Sequence, residues 1–256
     1  MKLKVPKKTV VFLHIPKTAG QTIHSELERK IGTQNISPVR VHTQVNNGVD
    51  QYPRGYKAYS GHLDWDCLSV LPKDKFVFTV LRDPLERLAS FYLYLREKSE
   101  YMNKDNLKLP QNKGLQMIRE CSADEYFLHE DPGWQGFIKN HYYNPYCSYL
   151  ITRKMNGYNL IKGLSDIDLV DAANQNKREI SKIYSTKNLS DLEDDLMNYC
   201  GLKVSLENKK INIGPKLDKK DRWSQLTNLF ENKTTAPKLI TYVEADQKLM
   251  KRLKFN

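Results

Sequence analysis

Cysteine is scarce in this 256-residue chain, and the four present, Cys67, Cys121, Cys147 and Cys200, stand far apart. There is no Cys-x-x-Cys pair and no Cys/His ligand spacing, which argues against a structural zinc site. Thiols so dispersed are expected to be reduced, as in a cytoplasmic protein, although two disulfides are compatible with the count. Long apolar runs are missing too. The longest near the start, Val10-Val11-Phe12-Leu13, is too short to span a bilayer. It is also too short for the core of a secretory signal, although Lys2, Lys4, Lys7 and Lys8 imitate a basic leader. The chain as given is therefore expected to be soluble and cytoplasmic, with an anchor in a longer parent left open. Neither an internal repeat nor a Ser/Gly-rich linker occurs, so one domain is expected over residues 1–256. Acid is in deficit: 41 Lys and Arg face 30 Asp and Glu, a net charge of +11.

What is present is ordinary globular material, 39% hydrophobic and 28% charged, which excludes disordered and collagen-like classes. The basic excess is concentrated in residues 203–256, with 13 basic and 6 acidic side chains. Such a field favours nucleotides, nucleic acid, acidic glycans or membrane surfaces, or simply solvates the protein. Thr9–His14 is a short β-branched apolar run, the pattern of a strand buried on both faces. Gln21–Ile31 then carries Ile23, Leu27 and Ile31 at helical spacing. Lys57–His62, Lys75–Leu81 and Ile180–Ser185 read as further strands. Asp83-Pro84-Leu85-Glu86 opens a helix, with Asp83 as N-cap, Pro84 at the first position and Glu86 placed for a capping box. Ser122–Glu125 and Ser190–Glu193 have the same capping-box spacing, and Gly201 suits a helix C-terminus. Residues 205–222 read as a polar, Lys-rich loop and Ala236–Leu253 as one amphipathic helix. Strands alternating with helices predict an α/β fold with a mainly parallel central sheet flanked by helices.

Two segments carry candidate chemistry. The first is the loop His14-Ile15-Pro16-Lys17-Thr18-Ala19-Gly20-Gln21-Thr22 between the first strand and the first helix. A loop entering a helix gathers unpaired N–H groups, and the helix dipole adds positive potential. Gly20 allows close backbone approach, Lys17 adds a full charge, and Thr18 and Thr22 add hydroxyls. The pattern departs from the NTPase loop, which ends in Gly-Lys-Ser/Thr; here Gly20 is followed by Gln21. An ordinary βα turn with an exposed lysine is the competing reading. The second segment follows the strand KFVFTVL: Arg82-Asp83-Pro84-Leu85-Glu86-Arg87-Leu88-Ala89-Ser90-Phe91-Tyr92. Arg82 would stand at the carboxyl end of a strand, where open α/β sheets bind ligands, with Ser90 further along the helix. Arginine can grip a phosphate with two parallel hydrogen bonds. Alternatively Arg82 pairs with a carboxylate and Ser90 is a small packing residue.

These two segments resemble the donor-binding motifs of sulfotransferases that use 3′-phosphoadenosine-5′-phosphosulfate (PAPS). PKTAGQT is similar to the family's 5′-phosphosulfate loop, and the strand with RDPLERLASFY is similar to its 3′-phosphate motif, above all in the heparan sulfate 2-O-sulfotransferase group. Tyr59-Ser60-Gly61-His62-Leu63 resembles that group's Gly-His segment. The resemblance covers roughly residues 9–98, is thinner over 180–256 and is poor over 99–179. It implies a P-loop-like sulfotransferase architecture. It implies that Lys17, Thr18, Ala19, Gly20, Gln21 and Thr22 wrap the 5′-phosphosulfate and that Arg82 and Ser90 bind the 3′-phosphate. His62 would be the catalytic base, and Lys17 would also stabilise the leaving oxygens. Asn212–Lys216, with Asn212 and Lys216 as contacts, would close over the nucleotide. PAPS would be the donor and 3′-phosphoadenosine-5′-phosphate (PAP) the product, with no metal. The acceptor would be a hydroxyl, on a carbohydrate and possibly an acidic glycan.

The chemistry is consistent with these residue types. Sulfuryl transfer needs in-line placement, a base and charge relief on the leaving phosphate. A histidine near its ordinary pKa of about 6.5 accepts a proton at neutral pH, a gain of roughly 10²–10⁴-fold. His14, His24, His42, His129 and His141 are rivals that only the Gly-His resemblance sets aside, and Glu86 is a rival base explained by capping. Tyr142, Tyr146 and Tyr149 read as one packed helix face, with a sugar platform as the alternative. Two other functions compete: a P-loop nucleotide kinase, which lacks its Gly-Lys-Ser/Thr end here, and a non-enzymatic polyanion-binding protein. No nucleic-acid recognition motif is visible.

Overall fold

The computed structural model describes residues 3–206 and 221–255. Four strands, β1 (Thr9–Leu13), β2 (Ala58–Gly61), β3 (Lys75–Leu81) and β4 (Lys182–Ser185), form one all-parallel sheet in the order β2-β1-β3-β4. From β1 the chain runs through helix α1 (Gly20–Ile31) to β2 on one side. From β3 it runs through α2 (Pro84–Glu100) and further helices to β4 on the other side. The neighbouring carboxyl ends of β1 and β3 therefore feed connections that diverge, and a crevice opens between them. Both candidate segments begin at this point.

Between α2 and β4 lie α3 (Lys104–Leu107), α4 (Lys113–Glu120), α5 (Ala123–Leu128), α6 (Pro132–Tyr142), α7 (Pro145–Thr152), α8 (Tyr158–Ile161) and α9 (Asp166–Asn176). After β4 come α10 (Ser190–Cys200), α11 (Arg222–Thr227), α12 (Thr235–Thr241) and α13 (Glu244–Leu253). The unbroken apolar runs of β1 and β3 are explained by burial on both faces. Val11, Leu13, Val77 and Leu81 pack on one side with Trp65, Tyr146 and Leu249. Val10, Phe12, Phe76 and Phe78 pack on the other with Ile23, Leu27 and Leu196. A third cluster, with Leu88, Tyr92, Phe127, Trp134 and Tyr142, ties α2 to α5 and α6.

Local signals set several ends. Asp83 accepts the Glu86 N–H at 3.0 Å and starts α2 behind Pro84. Ser122 and Glu125 form the expected reciprocal box, and Gly201, at φ 70°, ends α10. Four expectations fail. The Glu86 carboxylate does not reach back to its own cap; it takes Arg82 and the Trp223 N–H. The Ser190 hydroxyl turns to Asn188, and Glu193 takes the Leu206 N–H, so no capping box forms there. The terminal helix breaks at Tyr242–Val243, because the Tyr242 carbonyl accepts the Asn144 N–H at 2.7 Å and Asp246 turns inward. Asp246 accepts the N–H groups of Tyr146 (3.0 Å) and Cys147 (2.8 Å), the opening amides of α7. The tyrosine face is likewise split: Tyr142 ends α6, while Tyr146 and Tyr149 lie on α7 beyond Asn144 (φ 40°) and Pro145. All three rings are buried, as packing predicts.

Candidate active site at the sheet rim

The loop from β1 to α1 has an unusual backbone. Lys17 (φ 74°) and Ala19 (φ 64°) both occupy the left-handed region, which costs a side-chain-bearing residue about 1–2 kcal/mol. Thr18 is buried, and its hydroxyl donates to the Ile15 carbonyl at 2.8 Å. That hydroxyl thus holds the turn. Gly20 has a different use from the one its type suggested. A Cβ there would lie 1.8–2.2 Å from the His14 ring, so the missing side chain makes room for the imidazole. Gln21 is exposed and Thr22 buried on the first turn of α1.

Lys17 reaches over the Tyr94 ring, with Nζ 4.0 Å from its centroid. Burial pushes its pKa down to about 8, and the positive charges of Arg222, Arg82 and Arg87 add to the fall while Glu97 opposes it. Arg82 follows β3 directly. Its backbone is pinned by the Tyr146 hydroxyl, which accepts the Arg82 N–H (3.2 Å) and donates to the Arg82 carbonyl (2.9 Å). Its guanidinium donates to Glu86 at 2.8 Å, the carboxylate pairing considered from sequence. The other Glu86 oxygen accepts the Trp223 N–H at 3.0 Å, which ties the start of α11, and with it Arg222, to the same cleft. Arg222 was not singled out by pattern; the only local signal is Asp221, which caps α11 through the Ser224 N–H.

Arg87, Ser90 and Tyr94 are spaced three and four apart, so they share one face of α2. Arg87 Nε donates to the Pro16 carbonyl at 3.1 Å, and Tyr94 lies under Lys17. Buried Ser90 stands between these two contacts. The two turns therefore meet, α2 touching the β1–α1 loop through Arg87 and Tyr94, with the charges of Arg82 and Arg222 acting on Lys17.

His62 follows β2. Its N–H donates to the Arg40 carbonyl at 2.7 Å, and its Nδ1 lies 2.7 Å from the His14 carbonyl. A carbonyl only accepts, so Nδ1 carries the proton and Nε2 keeps its lone pair. The ring stacks on His14 (4.4 Å between centroids), His14 on Phe12 (5.2 Å) and Phe12 on Phe78 (4.9 Å). Burial pulls the His62 pKa to about 4; the bond to the His14 carbonyl opposes this, and Arg40, His42 and Arg87 reinforce it. That value departs from the ordinary one assumed from sequence. His62 is neutral at neutral pH but a weaker proton acceptor than a free imidazole.

The rival histidines also find places. His14 is held neutral, well below its ordinary pKa, by burial and then by His62. His24 is buried between Arg40 and Glu28. His42 Nδ1 lies 3.3 Å from the His62 carbonyl. His141 packs between Phe91 and Phe137 and is pushed to about 3 by burial and then by Arg87. His129 accepts the Asp131 N–H ahead of α6. Asn212 and Lys216 lie outside the described residues. Among the described residues, no group of three or more His, Cys, Asp or Glu is placed to hold a metal, and the four cysteines are unpaired. Within the same residues, no helix is long and apolar enough to cross a membrane.

A parallel α/β sheet that brings lysine, arginine and a serine to the rim between β1 and β3, with a neutral histidine after β2, suits an anionic ligand. The model of the sulfotransferase family matches residues 3–254, and the chain belongs to that family. It is accordingly a transferase of sulfuryl groups, and the match takes in residues 99–179, where the motifs gave little. No curated protein matches it.

Proposed function

We propose that the protein moves the sulfuryl group of PAPS to an acceptor hydroxyl on a carbohydrate, with His62 as the base. The observation that carries this reading is the gathering of Lys17, Arg82, Arg87 and Arg222 at the sheet rim, where burial first, and then the charges of Arg222, Arg82 and Arg87, hold the Lys17 ammonium below its ordinary range. A cluster of cations suits a multiply charged anion. A nucleotide with phosphates at both ends of its ribose matches a cleft fed by two separate turns. PAPS supplies an activated sulfuryl group whose S–O bond to the 5′-phosphate breaks on transfer.

The chain's own residues have distinct parts in this reading. The amides of residues 17–22 and the Lys17 ammonium hold the 5′-phosphosulfate and relieve charge on the departing phosphate. Arg82, presented by Glu86 and Tyr146, and the Ser90 hydroxyl hold the 3′-phosphate. His62 Nε2 takes the acceptor proton, and negative charge in the cleft brings its basicity back toward the ordinary range. The likeness of RDPLERLASFY and Gly61-His62 to the heparan sulfate 2-O group, together with the net charge of +11, favours an acidic glycan acceptor.

The test is a transfer assay with labelled PAPS across glycans, phenols and alcohols, alongside calorimetry with PAP. Labelled glycan and a PAP affinity that depends on Lys17 and Arg82 are expected. Absence of any PAP binding would overturn the proposal.

A further inference from the structure

Arg87 is a charged group beside the site that neither motif reading explains. It is 2% exposed and lies on the fourth residue of α2. Among the described residues it makes no ion pair with a carboxylate. Instead it donates to two backbone carbonyls, Pro16 in the donor loop and His141 at the end of α6, and its guanidinium lies 5.2 Å from the Phe91 ring centroid. The compensating carboxylate is Asp246, already engaged by the Tyr146 and Cys147 N–H groups. Burying a guanidinium against neutral oxygens is costly, and an apolar side chain of similar length would pack there more cheaply.

We infer that Arg87 is a positioning residue: its guanidinium bolts the loop of residues 14–19 to the end of α6. Its geometry joins the helix carrying Ser90, the loop carrying Lys17 and the end of α6. Its charge also bears on the base. His14 stacks on the His62 ring, and after burial the positive groups that hold His62 low are Arg40, then His42, and last Arg87. Of the two arginines in that set, Arg87 alone also contacts the donor loop. The inference rests on the site assignment proposed above.

The experiment uses the full chain with Arg87→Met and Arg87→Lys. The readouts are kcat and KM for PAPS with an acceptor from the panel assay, PAP affinity by calorimetry, and the His62 pKa by NMR titration. Arg87→Met should bind PAP, lose about 10- to 100-fold in kcat, and show a raised His62 pKa with a matching shift in the acid limb of the rate profile. Arg87→Lys keeps the charge, so it should lose kcat with little change at His62. A purely structural role would lower thermal stability and leave kcat of the folded enzyme unmoved; that result overturns the inference. If neither variant folds, the unsubstituted protein decides. Its Arg87 Nε–H should exchange slowly and shift when PAP is added, and a fast-exchanging, unresponsive Nε–H overturns the inference equally. Failure of the unsubstituted protein to bind PAP would sink the donor site instead, while the exchange rate of its Arg87 Nε–H would still report on the clamp.

Discussion

Raising the pH from 7 to 9 should weaken PAP binding through Lys17. In the free protein this ammonium titrates at about 8, held down by burial and by the charges of Arg222 and Arg82. A bound dianion favours the charged form and lifts the value toward the ordinary 10.4 or so. Lys17 is then about nine-tenths charged at pH 7 and about one-tenth charged at pH 9 when free, but charged throughout when bound. The dissociation constant should therefore rise about tenfold across that window, or about 1.4 kcal/mol. The sign follows from proton uptake: binding at pH 8 should draw in about half a proton. The phosphates lose their last proton near pH 6 and stay silent above it. The cysteines are silent too, because burial pushes Cys67, Cys121, Cys147 and Cys200 up. Calorimetry in buffers of different ionisation enthalpy measures the uptake directly. Lys17→Met should bind more weakly and lose most of the pH dependence. A flat affinity from pH 7 to 9 with no proton uptake in the unsubstituted protein would refute the assignment of Lys17 to the anion.

Arg82→Ala should weaken PAP binding by about 10- to 100-fold, the worth of a charge-assisted bond, as read by the same calorimetry. His62→Ala should leave PAP affinity within about threefold and cut transfer by roughly 10²–10⁴-fold in the labelled-donor assay; retained transfer would remove His62 from the base role. Gly20→Ala drives a methyl into the His14 ring, so melting should show a loss of about 1–3 kcal/mol, with transfer falling as His62 loses its stacking partner. Asp246→Ala strands the Tyr146 and Cys147 N–H groups at the start of α7, and denaturant unfolding should show a loss of about 2–4 kcal/mol.

The sheet was legible wherever both faces of a strand are buried. Lys75–Leu81 reads as a strand to the residue because every position after Lys75 is interior. The start of α2 was legible because Asp83 and Pro84 act within a single turn. What escaped the sequence depends on partners distant along the chain. Glu86 forgoes its own cap for a backbone amide 137 residues away. The kink before α13 exists to serve Asn144 and the first turn of α7. For the candidate site, the motifs singled out Lys17, Arg82 and His62 as candidates. Arg222 could not be found that way, because its place comes from Glu86 gripping Trp223, nor could the depressed His62 pKa, which is a product of enclosure.

The stacked rings Phe78, Phe12, His14 and His62 put the candidate base at the tip of a column rooted in the hydrophobic interior. The aim of His62 is thus inherited from beneath the sheet's surface. A change of shape at Phe78, which touches no reactant, would be passed ring by ring to the imidazole. Drift in acceptor preference can therefore originate in interior residues that a survey of the cleft's walls would overlook.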